Sequence, residues 1–325
     1  MNRVLRIHRT GGPELLTLDE LPSEAPGSGQ ALVRHTALGI NYIDVYHRSG
    51  LYPLPELPHA LGVEAAGRVE ALGPGTQGLA VGQRVAYVTS TPGSYADERV
   101  VPADRLVPLP DDIDDQTAAA AMLKGMTVEY LVRRTFPVKQ GQTLLFHAAA
   151  GGVGLIACQW LRQLGVTVIG TVGSDEKAEL ARENGCAHAV VYTREDFVAR
   201  VRELTGGKGV PVVYDSVGKD TFQGSLECLS PRGMLVGFGN ASGKPPPFDM
   251  AVLSQKGSLF LTRPTLFHYT SSREELLQSA RALFEVVRRG HVKIRIDRRF
   301  GLTEAAEAHR ALESRKTTGS LLLLP

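Results

Sequence analysis

The run Ala148-Ala149-Ala150-Gly151-Gly152-Val153-Gly154 is the part of the sequence whose residue types and spacing most clearly suit chemistry. It follows a short apolar run at 143–147 and precedes residues 155–164, which carry apolar side chains at helical spacing. Glycines at such a turn let the backbone approach a pyrophosphate, and the helix N-terminus offers free N–H groups and a positive dipole. The run therefore predicts a site for a nicotinamide dinucleotide.

The end of the next predicted strand, 167–172, indicates which dinucleotide fits. NAD-binding chains usually place an acidic residue about 20 positions after the turn, where it holds the ribose 2′-hydroxyl. This strand instead runs into Gly173, which leaves room for the 2′-phosphate of NADP, with Lys177 one helical turn further and Tyr192 after the third strand. An exposed helix lysine is the alternative for Lys177. Asp175 would oppose NADP if it pointed inward, and we predict that it faces solvent in the first turn of a helix.

The elements that position this site fall into two patterns. Residues 1–125 contain short strand-like runs separated by Gly and Pro turns, which is typical of an antiparallel, barrel-like sheet. Residues 126–257 alternate strands with helices, which predicts a parallel sheet covered on both faces. Residues 258–325 are more like the first part, and Ser272 with Glu275 is a capping box that opens a helix. We therefore predict an α/β protein in which a nucleotide-binding domain is inserted into a barrel domain.

Composition limits the other classes of function. Lys and Arg number 36 against 34 Asp and Glu, a net charge of +2, so nothing indicates a nucleic-acid partner. No apolar run is long enough to cross a bilayer, and the N-terminus does not read as a signal peptide. The three cysteines, Cys158, Cys186 and Cys228, are widely spaced and form no CxxC pair. This pattern favours a reduced cytoplasmic protein whose cysteines act as small hydrophobic residues.

With these residues in view, the sequence resembles the zinc-independent quinone oxidoreductases, the ζ-crystallin-like branch of the medium-chain dehydrogenase/reductase superfamily, over essentially its whole length. The stretches that carry the resemblance are 39–44, 48–53, 124–127, 146–154, 214–218, 262–264 and 312–315. The resemblance implies a GroES-like catalytic domain, an inserted Rossmann domain and an NADPH-dependent reductase of quinones. It also implies a homodimer.

The resemblance extends to individual residues. With the glycine turn, it implies cofactor contacts at Asn41, Tyr42, Asp44, Tyr46, Thr127, Tyr130, Ala149, Gly151, Gly152, Val153, Gly173, Ser174, Lys177, Tyr192, Ser216, Phe238, Gly239, Asn240, Ala241, Thr262, Arg263, Pro264 and Arg315. The candidate catalytic residues are Asn41, Tyr46, Tyr52, Lys124 and Thr127. Without the resemblance, Arg315 would be one member of a solvated Arg-Lys pair.

A catalytic zinc is not expected. The zinc-dependent relatives hold their metal with a thiolate, an imidazole and a second thiolate. Asn41 stands in the position of their first cysteine, and Val63 stands in the position of their histidine. Their four-cysteine structural lobe is absent, and His59 alone, which we expect in an exposed loop, is a poor zinc site. The sequence therefore predicts a metal-free protein.

Without a metal, the protein must orient the cofactor and stabilise negative charge that forms on the oxygen of the acceptor. The best donors are the Tyr46 phenol and the Asn41 amide, and Tyr52 and Lys124 could line the pocket. A packing tyrosine and a turn asparagine that bonds its own backbone are the alternatives for Tyr46 and Asn41. No histidine–carboxylate pair stands out in the sequence as a proton relay.

Two other functions remain open at this point. A reductase of enones or alkenals, which are α,β-unsaturated carbonyl compounds, would share the fold and the cofactor. Some relatives bind RNA or serve as structural lens proteins. Against RNA binding, the basic residues between Arg288 and Arg299 alternate with apolar ones, which is typical of a solvated strand face.

Overall fold

The computed structural model describes all residues from 1 to 325. The strands are β1 (Asn2–Ile7), β2 (Leu16–Leu21), β3 (Gln30–Ile40), β4 (His59–Ala60), β5 (Glu64–Leu72), β6 (Arg84–Val88), β7 (Glu98–Pro102), β8 (Val107–Pro108), β9 (Thr143–Phe146), β10 (Thr167–Val172), β11 (His188–Val191), β12 (Val210–Asp215), β13 (Leu229–Gly237), β14 (Phe260–Thr262), β15 (Ile296–Gly301) and β16 (Ser320–Leu324). The α-helices are α1 (Tyr42–Ser49), α2 (Asp115–Tyr130), α3 (Gly152–Gln163), α4 (Asp175–Glu183), α5 (Phe197–Leu204), α6 (Phe222–Glu227), α7 (Ala251–Gln255), α8 (Leu266–Tyr269), α9 (Arg273–Arg288) and α10 (Ala305–Glu313).

The chain divides into two compact units. The first contains Met1–Met126, Tyr269–Arg288 and Ile294–Pro325, and the second contains Thr127–His268 and Arg289–Lys293. The first predicted boundary, at 125/126, differs by one residue. The second division of the chain lies at 268/269, eleven residues after the predicted boundary at 257/258, and β14 pairs with β13 in the parallel sheet of the second unit. A three-residue strand bounded by irregular chain carries no local signal of which sheet it joins.

The second unit contains a six-stranded parallel sheet in the order β11-β10-β9-β12-β13-β14. The chain starts at the centre with β9, builds outward to β11, and then returns to the other side of β9 with β12. Strand order therefore reverses between β9 and β12, and ligands of such sheets bind beside that point, at the carboxyl ends of the strands. The central strands β9, β10 and β12 are apolar and largely buried, as the alternating strand–helix pattern predicts, whereas the edge strand β14 is exposed.

The first unit is built on a seven-stranded sheet in the order β15-β16-β3-β5-β6-β8, with β7 also paired to β3, and on a three-stranded sheet β2-β1-β4. All pairs are antiparallel except that of β15 with β16. A core cluster includes Leu38, Tyr87 and Leu323, so the C-terminal strand completes the barrel-like sheet that the N-terminal segment begins. The prediction of an interrupted barrel domain is confirmed.

Several local predictions can be compared with these elements. Helix α9 begins after Ser272, whose Oγ accepts from the Glu275 N–H at 3.2 Å while the Glu275 carboxylate accepts from the Ser272 N–H at 3.3 Å, so the capping box is confirmed. The three cysteines are free and buried, as predicted for small hydrophobic residues. The arginines of β15 are exposed, as expected of a solvated face. None of the helices has the length and apolarity needed to span a membrane.

Candidate cofactor site and reductase centre

The glycine turn lies between β9 and α3, as the sequence predicts. Gly151 precedes the first residue of α3, and its N–H donates to the Ala148 carbonyl at 2.9 Å. A Cβ on Gly154 would lie 2.3 Å from that same carbonyl oxygen, so only glycine allows α3 to pack this closely against the turn. Ala148 has a φ of 55°, which places it in the left-handed region. The turn exposes the first N–H groups of α3 in the way that a pyrophosphate requires.

A buried histidine that sequence reasoning missed supports this turn. His147 lies 2.9 Å from the Thr171 hydroxyl through Nδ1 and 3.0 Å from the Ser225 hydroxyl through Nε2. Ser225 donates its one hydroxyl proton to Asp215 at 2.9 Å, so the Nε2–H of His147 must donate to Ser225. Burial lowers the pKa of His147, which stays neutral. The ring fixes the start of the turn to β10 and α6.

The end of β10 carries the residues predicted for the adenosine side of the site. A Cβ on Gly173 would lie 3.0 Å from the Tyr192 hydroxyl oxygen, so these two residues are in close proximity. Ser174 precedes the first residue of α4, and its hydroxyl accepts from the Lys177 N–H at 3.3 Å. Asp175 is 67% exposed, which confirms that it faces solvent, and it pairs with Arg194 at 2.5 Å. Arg194 follows Tyr192 by two residues and was missed by the sequence analysis.

The carboxyl ends of β12, β13 and β14 form a second part of the same edge. Asp215 ends β12 and accepts from the N–H groups of Val217 and Gly218 at 2.8 and 3.0 Å, which shapes the loop that carries Ser216. A Cβ on Gly239 would lie 2.4 Å from the Ser216 carbonyl oxygen. A cavity of about 520 Å³ opens here, and its lining includes Gly239, Asn240, Thr262 and Arg263. The predicted contacts after β12, β13 and β14 therefore lie along one strand-end edge.

In the first unit, the candidate donors surround the start of α1. Asn41 precedes α1, and its backbone N–H donates to Asp44 Oδ2 at 2.8 Å. The Tyr95 hydroxyl donates to the same oxygen at 2.9 Å, whereas Asp44 Oδ1 is buried without a hydrogen-bond partner. Burial raises the pKa of Asp44 to about 7. Asp44 is completely enclosed, so it supports α1 and does not present its carboxylate to a cofactor as the resemblance implies.

A second buried carboxylate, Glu64, joins two of the candidate catalytic residues. Its Oε2 accepts from the Asn41 side-chain amide at 2.8 Å, and its Oε1 accepts from the Leu123 N–H at 2.6 Å. The Lys124 ammonium lies 3.8 Å from Oε2 and donates to the Ile40 carbonyl at 3.3 Å. Burial raises the pKa of Glu64 and lowers that of Lys124, and each charge partly offsets the shift of the other. Sequence reasoning did not single out Glu64.

In the sequence, the residue that could have pointed to Glu64 is Gly39, which lies in the stretch 39–44 that carries part of the family resemblance. A Cβ on Gly39 would lie 2.2 Å from Glu64 Oε2 and 2.3 Å from the Ala119 carbonyl oxygen. The glycine therefore makes room for a buried carboxylate that begins a neighbouring strand. Strands β3 and β5 pair Gly39 directly with Glu64, although the two residues are 25 positions apart in the chain.

Aromatic candidates lie beside these donors. The Tyr46 and Tyr52 rings are 5.1 Å apart in an edge-to-face arrangement, and the Tyr42 ring is 6.1 Å from that of Tyr46. Tyr46 is buried, with 7% of its surface exposed. The Tyr42 hydroxyl donates to the Leu312 carbonyl at 3.1 Å, which ties α1 to α10. The structure thus brings Tyr42, Tyr46 and Tyr52 together.

A buried polar chain also links α1 to α10. His309 Nε2 lies 3.3 Å from the Tyr95 hydroxyl, and its Nδ1 lies 3.2 Å from Arg48. Arg48 forms a bidentate pair with Glu313 at 2.7 and 2.9 Å. Burial lowers the pKa of His309 to about 3, so Arg48 donates to the neutral ring, which in turn donates toward Tyr95. Arg315 follows this helix in the left-handed conformation.

The structure differs from the sequence expectation at His59. His59 is not an exposed loop residue, because it lies on β4, is half-buried, and has no partner at Nε2. No group of three or more His, Cys, Asp or Glu side chains has the arrangement of a metal site. Thr127 and Tyr130 lie on the last part of α2, in the second unit, and both are buried.

Comparison with known proteins places the chain in a family. Residues 27–111 match the alcohol dehydrogenase GroES-like domain, and residues 152–284 match the family described as zinc-binding dehydrogenase. The chain is 53% identical over 315 residues to a quinone oxidoreductase of Pseudomonas aeruginosa, with 97% of each chain covered. It is 48% identical over 325 residues to a 2-haloacrylate reductase of a Burkholderia species, with 98% of each covered.

The solved structures agree with this result. The crystal structure of Escherichia coli quinone oxidoreductase complexed with NADPH matches with a TM-score of 0.98 at 46% identity, over 100% of both chains. Together with the GroES-like and nucleotide-binding units described above, these similarities show that the chain belongs to the quinone oxidoreductases of the medium-chain dehydrogenase/reductase family.

Proposed function

We propose that this protein is an NADPH-dependent quinone oxidoreductase. The observation that carries the proposal is the glycine turn, in which Gly154 lies against the Ala148 carbonyl where a Cβ would collide, in a chain 53% identical to a quinone oxidoreductase. Wild-type protein should therefore oxidise NADPH when 1,4-benzoquinone or a larger quinone is supplied. NADPH oxidation that depends on an enal or enone and not on any quinone would overturn this assignment.

The residues of the second unit fit NADPH. The N-terminus of α3 offers its N–H groups to the pyrophosphate, with Ala149, Gly151, Gly152 and Val153 around it. Gly173, which has no side chain, would leave room for the 2′-phosphate, and Lys177 and Tyr192 would bind it. The loops that begin at Ser216 and Phe238 and the segment from Thr262 to Pro264 are the proposed sites for the rest of the cofactor.

In the proposed reaction, bound NADPH supplies a hydride from its nicotinamide ring. The side chains of the first unit then stabilise the negative charge on the quinone oxygen, because donors fixed in a buried site need no reorganisation when the charge forms. Lys124 is the strongest of these donors, since it is a cation that burial and hydrogen bonding hold in place. Asn41 and Tyr46 are the neutral donors. The Tyr46 and Tyr52 rings would pack against a planar quinone.

One observation favours a second activity. The 48% identity to a 2-haloacrylate reductase makes an α,β-unsaturated carboxylate or carbonyl compound the alternative acceptor. Quinones and enones share the demand for a hydride and for a stabilised oxygen anion, so the same donors would serve both. Side-by-side turnover of 1,4-benzoquinone, 2-cyclohexenone and 2-chloroacrylate, each with NADPH, ranks the acceptors by kcat/KM.

The proposed assembly is a homodimer, supported by one edge of the parallel sheet. Strand β14 pairs only with β13, and Phe260 and Leu261 on it are exposed by 56% and 37%, with Met250 nearby in sequence exposed by 76%. An unpaired apolar edge strand is a template for pairing with another chain. Light scattering of the wild type should give twice the chain mass, and Phe260→Lys should shift it toward the monomer. A wild-type monomer would refute the proposal.

The proposed location is the cytoplasm, supported by three free, buried cysteines. The proposed enzyme is also free of metal, supported by Asn41 and Val63 at the positions where zinc-dependent relatives carry ligands. Elemental analysis of the purified protein tests this proposal, because stoichiometric zinc would refute it.

A further inference from the structure

We propose that Glu64 is a positioning residue for quinone reduction, which keeps the Lys124 ammonium charged and fixed as the donor to the substrate oxygen. The inference rests on the proposed function and assigns a role to a carboxylate that does not itself face the substrate. It concerns residues of the first unit only, and each contact in the argument joins elements of that unit.

Burial and hydrogen bonds at both oxygens hold the Glu64 carboxylate in place. It is the first residue of β5 and has no exposed surface. The Leu123 N–H binds one carboxylate oxygen and the Asn41 amide binds the other, at 2.6 and 2.8 Å. Gly39 leaves the space for it, since a Cβ there would lie 2.2 Å from Oε2. A carboxylate with donors at both oxygens cannot rotate without losing a buried hydrogen bond.

Lys124 needs such a partner to stay charged. The side chain is buried, and removal of an ammonium from water favours its neutral form. Glu64 Oε2, at 3.8 Å, favours the charged form, and the Ile40 carbonyl accepts one N–H at 3.3 Å. An ammonium has three N–H groups, so a donor remains for a substrate oxygen after these two contacts.

Other charged and titratable groups lie around the pair. Asp44 on α1 is close enough to act on both members: as an anion it raises the pKa of Lys124, and the charge of Glu64 in turn raises the pKa of Asp44. Tyr95, which donates to Asp44, comes from the loop after β6, and beyond it lie His309 on α10 and Arg48 on α1. Glu64 is the nearer anion to Lys124 and has the larger effect on its pKa.

The pair is a poor explanation for stability alone. The desolvation of two buried charges offsets most of their attraction, so a buried ion pair adds little net stability compared with apolar side chains of the same size. Breaking the pair on one side leaves an uncompensated buried charge, which is costly. The Lys124 ammonium is nevertheless retained beside the proposed reductase donors. It therefore has a role in the reaction, and Glu64 keeps it charged and in place.

The test compares Glu64→Gln with Glu98→Gln. Glu98 is a buried carboxylate of β7 in the same unit that pairs with Arg34 at 2.7 Å and contacts none of the proposed donors. We expect E64Q to lower kcat for benzoquinone by about tenfold or more while the KM for NADPH changes by less than about threefold. Because Glu64 raises the pKa of Lys124, its loss should also move the basic limb of the kcat–pH profile to lower pH. E98Q should keep the wild-type kcat and profile.

A wild-type kcat and pH profile in folded E64Q would overturn the inference, as would equal losses in E64Q and E98Q. If E64Q does not fold, E64Q/K124M removes both charges together, which avoids an unpaired buried charge. We then expect the double variant to match Lys124→Met in kcat within about threefold, because Glu64 acts through Lys124. If kcat of the double variant is a further tenfold below that of Lys124→Met, Glu64 does not act through Lys124. Wild-type protein that reduces no quinone refutes the proposed function instead.

Discussion

Arg194 lies 2.5 Å from Asp175, so the ion pair joins the first turn of α4 to the loop that follows β11. Asp175 stands two residues after Gly173, close to the position where an acidic side chain would favour NAD over NADP. Its carboxylate is instead paired with a cation and exposed. The ion pair therefore neutralises Asp175, one of the two acidic side chains in the first turn of α4 that could repel a 2′-phosphate; the other is Glu176.

The first prediction concerns this pair. Arg194→Ala leaves Asp175 uncompensated, so we expect the Kd for NADPH to rise by about fivefold, the scale of an exposed ion pair. The Kd for NADH should change little, since NADH has no 2′-phosphate. The double variant R194A/D175A should recover most of the lost NADPH affinity. Fluorescence titration of both cofactors measures the effect, and an R194A variant with unchanged NADPH affinity would show that the pair does not bear on the site.

The second prediction tests the 2′-phosphate assignment itself. Lys177→Ala should weaken the binding of NADPH by about 10- to 100-fold, which is the scale of one charge-assisted hydrogen bond. NADH should be affected far less. Equal weakening of the two cofactors, measured by the same titration, would remove Lys177 from the 2′-phosphate site. Lys219→Ala, at an exposed position of the same unit, is a control for the loss of a surface cation.

The third prediction concerns the glycine turn. Gly154→Ala places a Cβ 2.3 Å from the Ala148 carbonyl oxygen, so the turn and α3 must move apart. We expect a loss of about 1–3 kcal/mol in the free energy of unfolding, together with weaker NADPH binding. Gly151→Ala is the matched control for stability, because its Cβ would find its nearest neighbour at 3.2 Å. Equal losses of stability in the two variants would contradict the close packing at Gly154.

The fourth prediction is a pH dependence of stability. Burial raises the pKa of Asp44 to about 7 in the folded state, above its value in the unfolded chain. The folded state therefore binds more protons between pH 4 and pH 7, and the contribution of Asp44 to stability is lost as pH rises through 7. The side chain of Asp44→Asn cannot ionise. The difference in free energy of unfolding between this variant and the wild type should therefore shift in favour of the variant as pH rises from 5 to 8. Urea unfolding at several pH values measures this difference, and parallel curves would refute the prediction.

Much of the cofactor site could be predicted from local sequence. The glycine turn and the capping box at Ser272 depend on residues within a few positions of each other. Their backbone conformations are therefore fixed by short-range sterics and hydrogen bonds. The solvent-facing position of Asp175 follows in the same way. The cofactor and pocket contacts that the resemblance implies for Tyr42, Tyr46 and Tyr52 stay predictions, although the three rings lie near one another and the Asp44 side chain is enclosed.

Long-range partners could not be predicted from the same sequence. Glu64 meets Asn41 through the pairing of β3 with β5, and His147 meets Ser225 through the packing of α6 on the parallel sheet. The sequence predicts that His59 lies in a loop, whereas it lies on β4, which pairs with β1. No periodicity or spacing relates such residues, because each contact depends on which strands become neighbours.

The sequence by itself determined the dinucleotide turn and the interrupted barrel, because local geometry and hydrophobic periodicity encode them. Only the tertiary structure decided that Glu64 and Lys124 form a buried pair, that Arg194 neutralises Asp175, and that β14 belongs to the parallel sheet. Those features depend on burial and on charges brought together from distant positions. Burial determines how strongly each charge acts, and burial is a property of the folded chain.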